Sequence, residues 1–201
     1  MGKILIVGGT GTIGSAVVEN LSDTYETVAI GHTSGDYQID LGSKPTIVEM
    51  YRDFDDIDAV ICASGRAEFG PLDELSDEDF KLGLENKLMG QINLVRVGRE
   101  HLNEGGSITL TSGLLGREPM RGSTSISTIN AGLEGFVRAA ALELEGGRRV
   151  NAVSPGWVSE TLEMIGRDPE DGVPAATVAQ TFQQILEGDQ NGEVVDIRTD
   201  D

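Results

Sequence analysis

A glycine-rich turn near the start of the chain constrains its fold more than any other feature. Residues 3–14, KILIVGGTGTIG, have the pattern of a buried strand that runs through a turn into a helix, with glycines at positions 8, 11 and 14. A helix that begins at such a turn directs free backbone N–H groups and the positive end of its dipole at one point. Glycine allows a pyrophosphate to approach the main chain closely and allows the helix to pack on the strand. The spacing predicts the first unit of a nucleotide-binding α/β fold.

Strand-like and helical segments alternate along the rest of the chain. The strand-like runs lie at about 3–7, 26–31, 57–62, 107–111, 149–153 and 193–198, with a short edge strand near Tyr37–Ile39. The helical patterns lie at about 12–22, 43–53, 76–103, 124–145 and 175–188. This order predicts an α/β fold with a single doubly wound parallel sheet of about seven strands and helices on both faces, the Rossmann arrangement. We see no linker, so residues 1–201 are expected to form one domain.

Composition narrows the classes of function. The net charge of −19 argues against a nucleic-acid partner, because a polyanion would be repelled. No apolar run is long enough to cross a membrane, and the stretch Ile4–Val7 is too short for a signal peptide. The single cysteine, Cys62, fits a reducing cytoplasm, where we expect the protein. The acidic surface either keeps a cytoplasmic protein soluble or reflects a salt-loving host.

The order of the elements and several motifs resemble the short-chain dehydrogenase/reductase family over nearly the whole chain. The matching motifs are Gly8, Gly11 and Gly14 in the glycine turn, Asp40-Leu41 beside adenine, Cys62–Gly65 along the cofactor, Arg149–Gly156 in the sixth strand and its Pro-Gly turn, and Gly192–Val195 in the last strand. The resemblance implies an NAD(P)-dependent oxidoreductase that acts on a small-molecule substrate. It also implies a homodimer or homotetramer, formed through the helices at 76–103 and 124–145.

The predicted cofactor contacts lie in these motifs and beside the end of the second strand. They are Gly8, Thr10, Gly11, Thr12, Ile13, Gly14, His32, Thr33, Ser34, Asp40, Leu41, Ala63, Ser64, Gly65, Pro155, Gly156 and Val158. NAD sites place an acid at the tip of the second strand to bind the ribose 2′-OH. Here the tip is Gly31–Ser34, which offers donors for a 2′-phosphate, whereas Asp36 follows a further turn. We therefore expect NADP in preference to NAD, and no metal.

The sequence lacks the family's catalytic pair, a tyrosine with a lysine four residues later. The residues four positions beyond Tyr25, Tyr37 and Tyr51 are Ala29, Leu41 and Asp55. In the family the lysine lowers the pKa of the phenol, which then exchanges a proton near neutrality. The resemblance places Ile126 and Asn130 at the two positions. The usual proton relay is therefore absent.

Three residues remain as catalytic candidates by resemblance. Asn86 matches the family's active-site asparagine, Ser112 matches the serine that orients a substrate carbonyl, and Asn130 takes the position of the lysine and is expected to bind the ribose. Lys87 follows Asn86, but adjacent helical residues point about 100° apart, so the two are not expected in one pocket. Arg117 and Glu118, in the loop after the fifth strand, are candidates to approach the site, and the alternative is that each is an ordinary surface or capping residue.

Two functions stay open at this point. One is an NADP-dependent oxidoreductase that transfers a hydride to or from a small organic substrate by a non-standard proton relay. A substrate that needs little acid assistance, such as a protonated imine, would suit it. The other is a catalytically silent NADP(H)-binding sensor or regulatory pseudoenzyme. A third hypothesis is a protein that keeps the fold but has lost the ability to bind a ligand.

Overall fold

Seven parallel strands form one sheet in a computed structural model that describes residues 2–199. The strands are β1 (Lys3–Val7), β2 (Glu26–Gly31), β3 (Tyr37–Gln38), β4 (Ile57–Cys62), β5 (Leu102–Thr111), β6 (Arg149–Pro155) and β7 (Val194–Ile197). Their order across the sheet is β3-β2-β1-β4-β5-β6-β7, and every neighbouring pair is parallel. The predicted doubly wound fold is confirmed.

In the described part of the chain, seven α-helices connect the strands. They are α1 (Thr12–Leu21), α2 (Lys44–Asp53), α3 (Asp77–Gly83), α4 (Gly90–Gly98), α5 (Thr124–Ala140), α6 (Ser159–Met164) and α7 (Ala175–Glu187). Ser76 caps α3 in a reciprocal capping box with Asp79, which stabilises the start of an otherwise acidic helix. None of the helices in residues 2–199 combines the length and the apolar character that a membrane span requires.

The helices form one layer on each face of the sheet. On one face Val17 of α1 and Phe182 of α7 pack against Ile4 and Ile6 of β1. On the other face Met50 of α2, Leu94 of α4 and Leu133 of α5 pack in the cluster that contains Leu5 and Val7. Alternate residues of β1 thus enter opposite layers, as the period of a strand requires. The strand is buried on both sides, which explains its continuous apolar sequence.

The predicted helix at 76–103 is divided in the structure. A π-helical segment, Leu84–Met89, joins α3 to α4, and α4 ends at Gly98. The strand that follows begins at Leu102, earlier than predicted, because the segment 103–106 forms an irregularity between the pairs Ile57–Leu102 and Ala59–Ser107. The predicted helix at 124–145 ends at Ala140. The π-helical segment matters most, because it decides which side chains face the site.

The order of the strands reverses between β1 and β4. From β1 the chain proceeds outward to β2 and β3, then returns to the other side of β1 as β4. Val7 and Cys62, the last residues of the two strands, are paired in register. The crevice beyond such a reversal is where open α/β sheets bind their ligands.

Candidate active site

Two adjoining pockets occupy this crevice. The first has a volume of about 530 Å³ and is lined by the glycine turn, the end of β2 and the segment 39–42. The second has a volume of about 790 Å³ and lies over the ends of β4, β5 and β6. Ala63, Ser64 and Arg66 line both pockets. The two pockets therefore form one continuous groove across the carboxyl edge of the sheet.

The glycine turn fits a bound phosphate group. Gly8 has φ of +85°, and a Cβ built there would lie 2.7 Å from the carbonyl oxygen of Ala63, so only glycine fits. A Cβ on Gly14 would overlap the carbonyl of Gly8, so the start of α1 requires glycine to pack on the turn. Among residues 2–199 no side chain caps α1, and its first turn contains no acid. The free amides at this end of α1 are thus available to an anion.

The predicted cofactor residues divide between the two pockets. The first pocket includes Gly8, Thr10, Gly11, His32, Asp40, Leu41, Ala63 and Ser64. The second includes Ile13, Ala63, Ser64, Gly65, Pro155, Gly156 and Val158. Thr12, Gly14, Thr33 and Ser34 line neither pocket, so any contact that they make with a cofactor stays a prediction. Thr12 and Gly14 lie in the first turn of α1, and Thr33 and Ser34 lie in the turn beyond β2.

Asp36, the acid nearest to an NAD-type position, has a structural role. Its carboxylate accepts a hydrogen bond of 2.9 Å from the amide of Ala29, and its own amide donates to the Ala29 carbonyl at 2.8 Å. The residue therefore closes the turn after β2 and does not line either pocket. The first pocket instead contains the side chains of His32 and Arg66.

Asn86 and Lys87 lie on opposite sides of the groove. Asn86 lines the first pocket, where its Oδ1 accepts a hydrogen bond of 2.8 Å from the amide of Arg66. Lys87 lines the second pocket, and its Nζ donates to the carbonyl oxygen of Ser112 at 3.1 Å. The predicted separation of the two side chains agrees with this placement. The catalytic role predicted for Asn86 stays a prediction; of the two residues, Lys87 is the one that lines the second pocket.

Sequence reasoning passed over Lys87, although a signal was present. Gly83, Lys87, Gly90 and Leu94 recur at helical spacing, and all four are buried. A Cβ at Gly90 would lie 2.6 Å from the carbonyl oxygen of Leu41, which shows how closely this face is packed. A lysine on the same face as two closely packed glycines must point inward. Burial lowers the pKa of Lys87 to about 8, although the nearby Cys62 opposes the shift.

Ser112 lines the second pocket, but its hydroxyl has a partner within the protein. Oγ donates 3.1 Å to Oε1 of Glu134, a side chain that is 2% exposed. Arg117 and Arg138 both contact the same carboxylate, at 3.1 and 3.2 Å. The predicted contact between Ser112 and a substrate carbonyl would require this hydroxyl to leave Glu134, so it stays a prediction.

Ile126 and Asn130 both line the second pocket, at the positions where the resemblance places the family's tyrosine and lysine. Nδ2 of Asn130 donates to the carbonyl of Gly113 at 3.3 Å. Its Oδ1 is buried and accepts no hydrogen bond from the described residues. The amide therefore retains an acceptor for a bound hydroxyl, consistent with the predicted contact to a ribose. Ile126 contributes only apolar surface.

The walls of the second pocket are mostly apolar. Trp157 and Phe69 meet edge to face, with 6.4 Å between ring centroids, and the guanidinium of Arg167 lies 5.6 Å from the Trp157 ring. Trp157 therefore both lines the pocket and packs against its neighbours. The segment 157–174 contains α6 and borders the pocket through Trp157, Val158 and Thr161. Within residues 2–199, His, Cys, Asp and Glu side chains form no cluster suited to a metal ion.

Comparison with known proteins identifies the family. The profile described as enoyl-(acyl carrier protein) reductase matches residues 11–194. The chain belongs to the short-chain dehydrogenase/reductase family. Among curated relatives, hydroxynaphthalene reductase arp2 of Aspergillus fumigatus is 30% identical over 139 residues, which cover 67% of this chain and about half (51%) of that protein. The short-chain dehydrogenase/reductase ATR9 of Stachybotrys chlorohalonatus is 27% identical and matches 92% of this chain and 83% of its own.

Solved structures of other proteins superpose closely on this chain. The protein lin1944 from Listeria innocua is 38% identical in sequence and superposes with a TM-score of 0.93. The superposition covers 98% of this chain and 100% of that one. A small-chain dehydrogenase solved in complex with NADPH is 23% identical, with a TM-score of 0.84 over 98% of this chain and 97% of its own. At that identity the second comparison establishes the shared fold alone.

Proposed function

We propose that this short-chain dehydrogenase/reductase is an NADP-dependent oxidoreductase that transfers a hydride to or from a small organic substrate by a proton relay other than the Tyr–Lys pair. One observation carries the proposal: the phosphate-binding turn and the apolar pocket form one groove, joined at Ala63, Ser64 and Arg66. The groove has room for a dinucleotide at the glycine turn and for a substrate over β5 and β6. When bound, NADP(H) supplies the hydride at its nicotinamide ring.

The preference for NADP rests on the first pocket. Asp36 closes the turn after β2 through the Ala29 amide and lines neither pocket, so it is not placed to bind a ribose 2′-OH. His32 and Arg66 line the pocket and can donate hydrogen bonds to a 2′-phosphate. Two solved dehydrogenases of the same fold are complexes with NADPH and with NADP. Asp40 and Leu41 of this pocket are proposed to contact the adenine.

The alternative, a silent NADP(H) sensor, has its own support. Ile126 cannot exchange a proton, and the Ser112 hydroxyl is engaged by Glu134. A chain that retains the groove but lacks a working relay would bind the cofactor without turnover. Both hypotheses therefore predict that NADPH binds, but only the enzyme hypothesis predicts that bound NADPH is oxidised by a substrate.

A titration followed by a substrate panel separates the two functions. NADPH fluorescence is measured against increasing protein, then NADPH oxidation is followed with aldehydes, ketones, enones and imines. Binding with oxidation supports the enzyme, whereas binding without oxidation on any substrate supports the sensor. No binding of NADPH or NADH would refute both.

We also propose that the chain assembles as a homodimer or homotetramer through α4 and α5. Leu84 and Met89, in the segment that leads into α4, expose 39% and 38% of their surface. On α5 the exposed residues Ala131, Gly132 and Gly135 are small enough for close approach of a second helix. A mass from light scattering equal to one chain would contradict this assembly.

A further inference from the structure

Lys87 is held at the floor of the second pocket by its surroundings. Its aliphatic stem lies under Gly65, where a Cβ would come within 2.5 Å of Lys87 Cγ. The side chain is buried, and Nζ donates to the carbonyl oxygen of Ser112 at 3.1 Å. An ammonium group has three N–H donors, and within residues 2–199 this is its one hydrogen bond. The remaining donors are available to a molecule in the pocket.

The other titratable and charged groups around the pocket are poorly suited to donate a proton. Glu118, which lines the pocket, accepts two hydrogen bonds from Arg198, and these lower the pKa of its carboxyl. Glu134, behind Ser112, contacts two guanidinium groups. Burial raises the pKa of the Cys62 thiol, on β4, to about 12. The remaining charged group that lines the pocket is the guanidinium of Arg66.

We propose that Lys87 is the catalytic proton donor of the second pocket and serves the oxygen of a carbonyl substrate. This inference rests on the proposed function. The carbonyl carbon gains the hydride that NADPH supplies, and the π electron pair of the C=O bond moves onto oxygen. One N–H bond of the ammonium breaks as the O–H bond forms, and the neutral amine then regains a proton from solvent. In the oxidation direction the amine accepts the alcohol proton.

The pocket also indicates the class of substrate. Phe69, Met120, Ile126 and Trp157 surround the space above Lys87 with apolar surface. The substrate that fits is therefore an uncharged aldehyde or ketone with an apolar or aromatic body, whose oxygen alone needs a polar partner. The carbonyl oxygen of a ketone is essentially unprotonated at neutral pH. Its reduction to an alcohol therefore requires a general acid, the role proposed for Lys87.

Amine labelling of the free protein tests Lys87 without reference to activity. The sequence contains four lysines, at positions 3, 44, 81 and 87, so a mass spectrum after brief acetylation resolves each site. Measured from pH 6 to 10, the reactivity of Lys87 should rise with an apparent pKa near 8, the value set by its burial. Lys3, Lys44 and Lys81 are internal references. A Lys87 that stays unreactive, or that titrates together with the other three, would overturn the inference.

Variants at position 87 provide a second test of the inference. Lys87→Met should bind NADPH within about threefold of the wild type, while kcat for a ketone falls on the order of 10²–10⁴-fold. Lys87→Arg keeps a cation in place but gives up its proton far less readily, so kcat should fall while KM changes little. Lys81→Met, an exposed lysine of α3, is the control and should behave as the wild type.

The outcomes separate this inference from the proposed function. If wild type and Lys87→Met both reduce ketones with one pH profile, Lys87 is not the donor and the oxidoreductase stands. If the wild type binds no NADPH, the proposed function fails whatever the labelling shows. If the wild type binds NADPH and reduces none of the panel, both fail and the sensor is supported.

Discussion

Asn86 and Lys87 are consecutive in the chain, yet each lines a different pocket of the groove. The π-helical segment Leu84–Met89 contains both, and segments of this kind are frequent at functional sites. Through Asn86 the segment fixes the amide of Arg66, and through Lys87 it supports the carbonyl of Ser112. One turn of helix therefore organises both halves of the groove.

The glycine turn should not tolerate a methyl group at position 8. Gly8→Ala places a Cβ against the Ala63 carbonyl at a positive φ, so we expect a loss of about 1–3 kcal/mol in the free energy of unfolding. NADPH affinity should fall at least tenfold. The matched control is Gly70→Ala, which lies outside both pockets, has no positive φ and would place its Cβ in ordinary contact 3.5 Å from Leu75, so stability and binding should change little. Denaturant unfolding and NADPH titration measure both, and wild-type binding by Gly8→Ala would contradict the expectation.

The choice of cofactor should respond to charge at position 32. His32→Asp introduces an acid into the first pocket, where it repels a 2′-phosphate and can accept a hydrogen bond from a 2′-OH. We expect the ratio of NADPH to NADH affinity to fall on the order of tenfold or more. Gln38→Asp adds the same charge on β3 outside the pocket and controls for the net charge. Equal ratios in the two variants would remove His32 from the cofactor site.

The buried carboxylate of Glu134 should contribute to stability. Glu134→Gln removes the charge that Arg117 and Arg138 contact at 3.1 and 3.2 Å and that the Ser112 hydroxyl also binds. We expect a loss of about 1–3 kcal/mol, because the two guanidinium groups lose their shared partner. Glu143→Gln, on the exposed surface, should change stability by less than about 0.5 kcal/mol. Thermal unfolding of the two variants distinguishes them, and equal midpoints would count against the network.

The lowered pKa of Lys87 predicts a dependence of stability on pH. Between about 8 and the ordinary value of 10.5, the unfolded chain binds a proton that the folded chain has released, so the free energy of unfolding rises with pH through this window. Below pH 8 the ammonium is charged in both states, and its burial is a cost. The measured quantity is the wild-type free energy of unfolding minus that of Lys87→Met, from pH 7 to 10.5. The subtraction also reduces the contribution of Cys62, and a flat difference would show that Lys87 is not shifted.

The sequence predicted the sheet well because its strands are short apolar runs between turns. β1, β2 and β4 begin and end as predicted, since burial on both faces leaves little ambiguity. β5 was predicted to start five residues late, at 107 instead of 102, because Asn103–Gly106 has the composition of a turn. The π-helical segment escaped prediction for a related reason. The segment continues directly from α3 into α4, so no turn residue or break in the helical stretch marks it in the sequence.

The site was less accessible to sequence reasoning than the fold. The glycine turn and the Pro-Gly turn are local motifs, and the structure places residues from both in one groove. A lysine is expected at the surface, so its residue type alone does not indicate that Lys87 lies under Gly65; only its helical spacing with Gly83 and Gly90 points inward. The hydrogen-bond partner of Ser112, Glu134, is 22 residues away in the sequence, and the partner of Asp36, Ala29, depends on the shape of the turn after β2. A short motif encodes neither contact.

The loop after β5 is fastened to the last strand of the sheet. Arg117 pairs with Asp196, and Glu118 pairs with Arg198, so both ion pairs join the rim of the substrate pocket to β7 and the residue that follows it. A shortened chain that lacked residues 194–199 would lose these two anchors together with an edge strand. We expect the second pocket to be disturbed before the glycine-turn half of the crevice, so that under the proposed function the carboxyl-terminal segment would help to set substrate specificity.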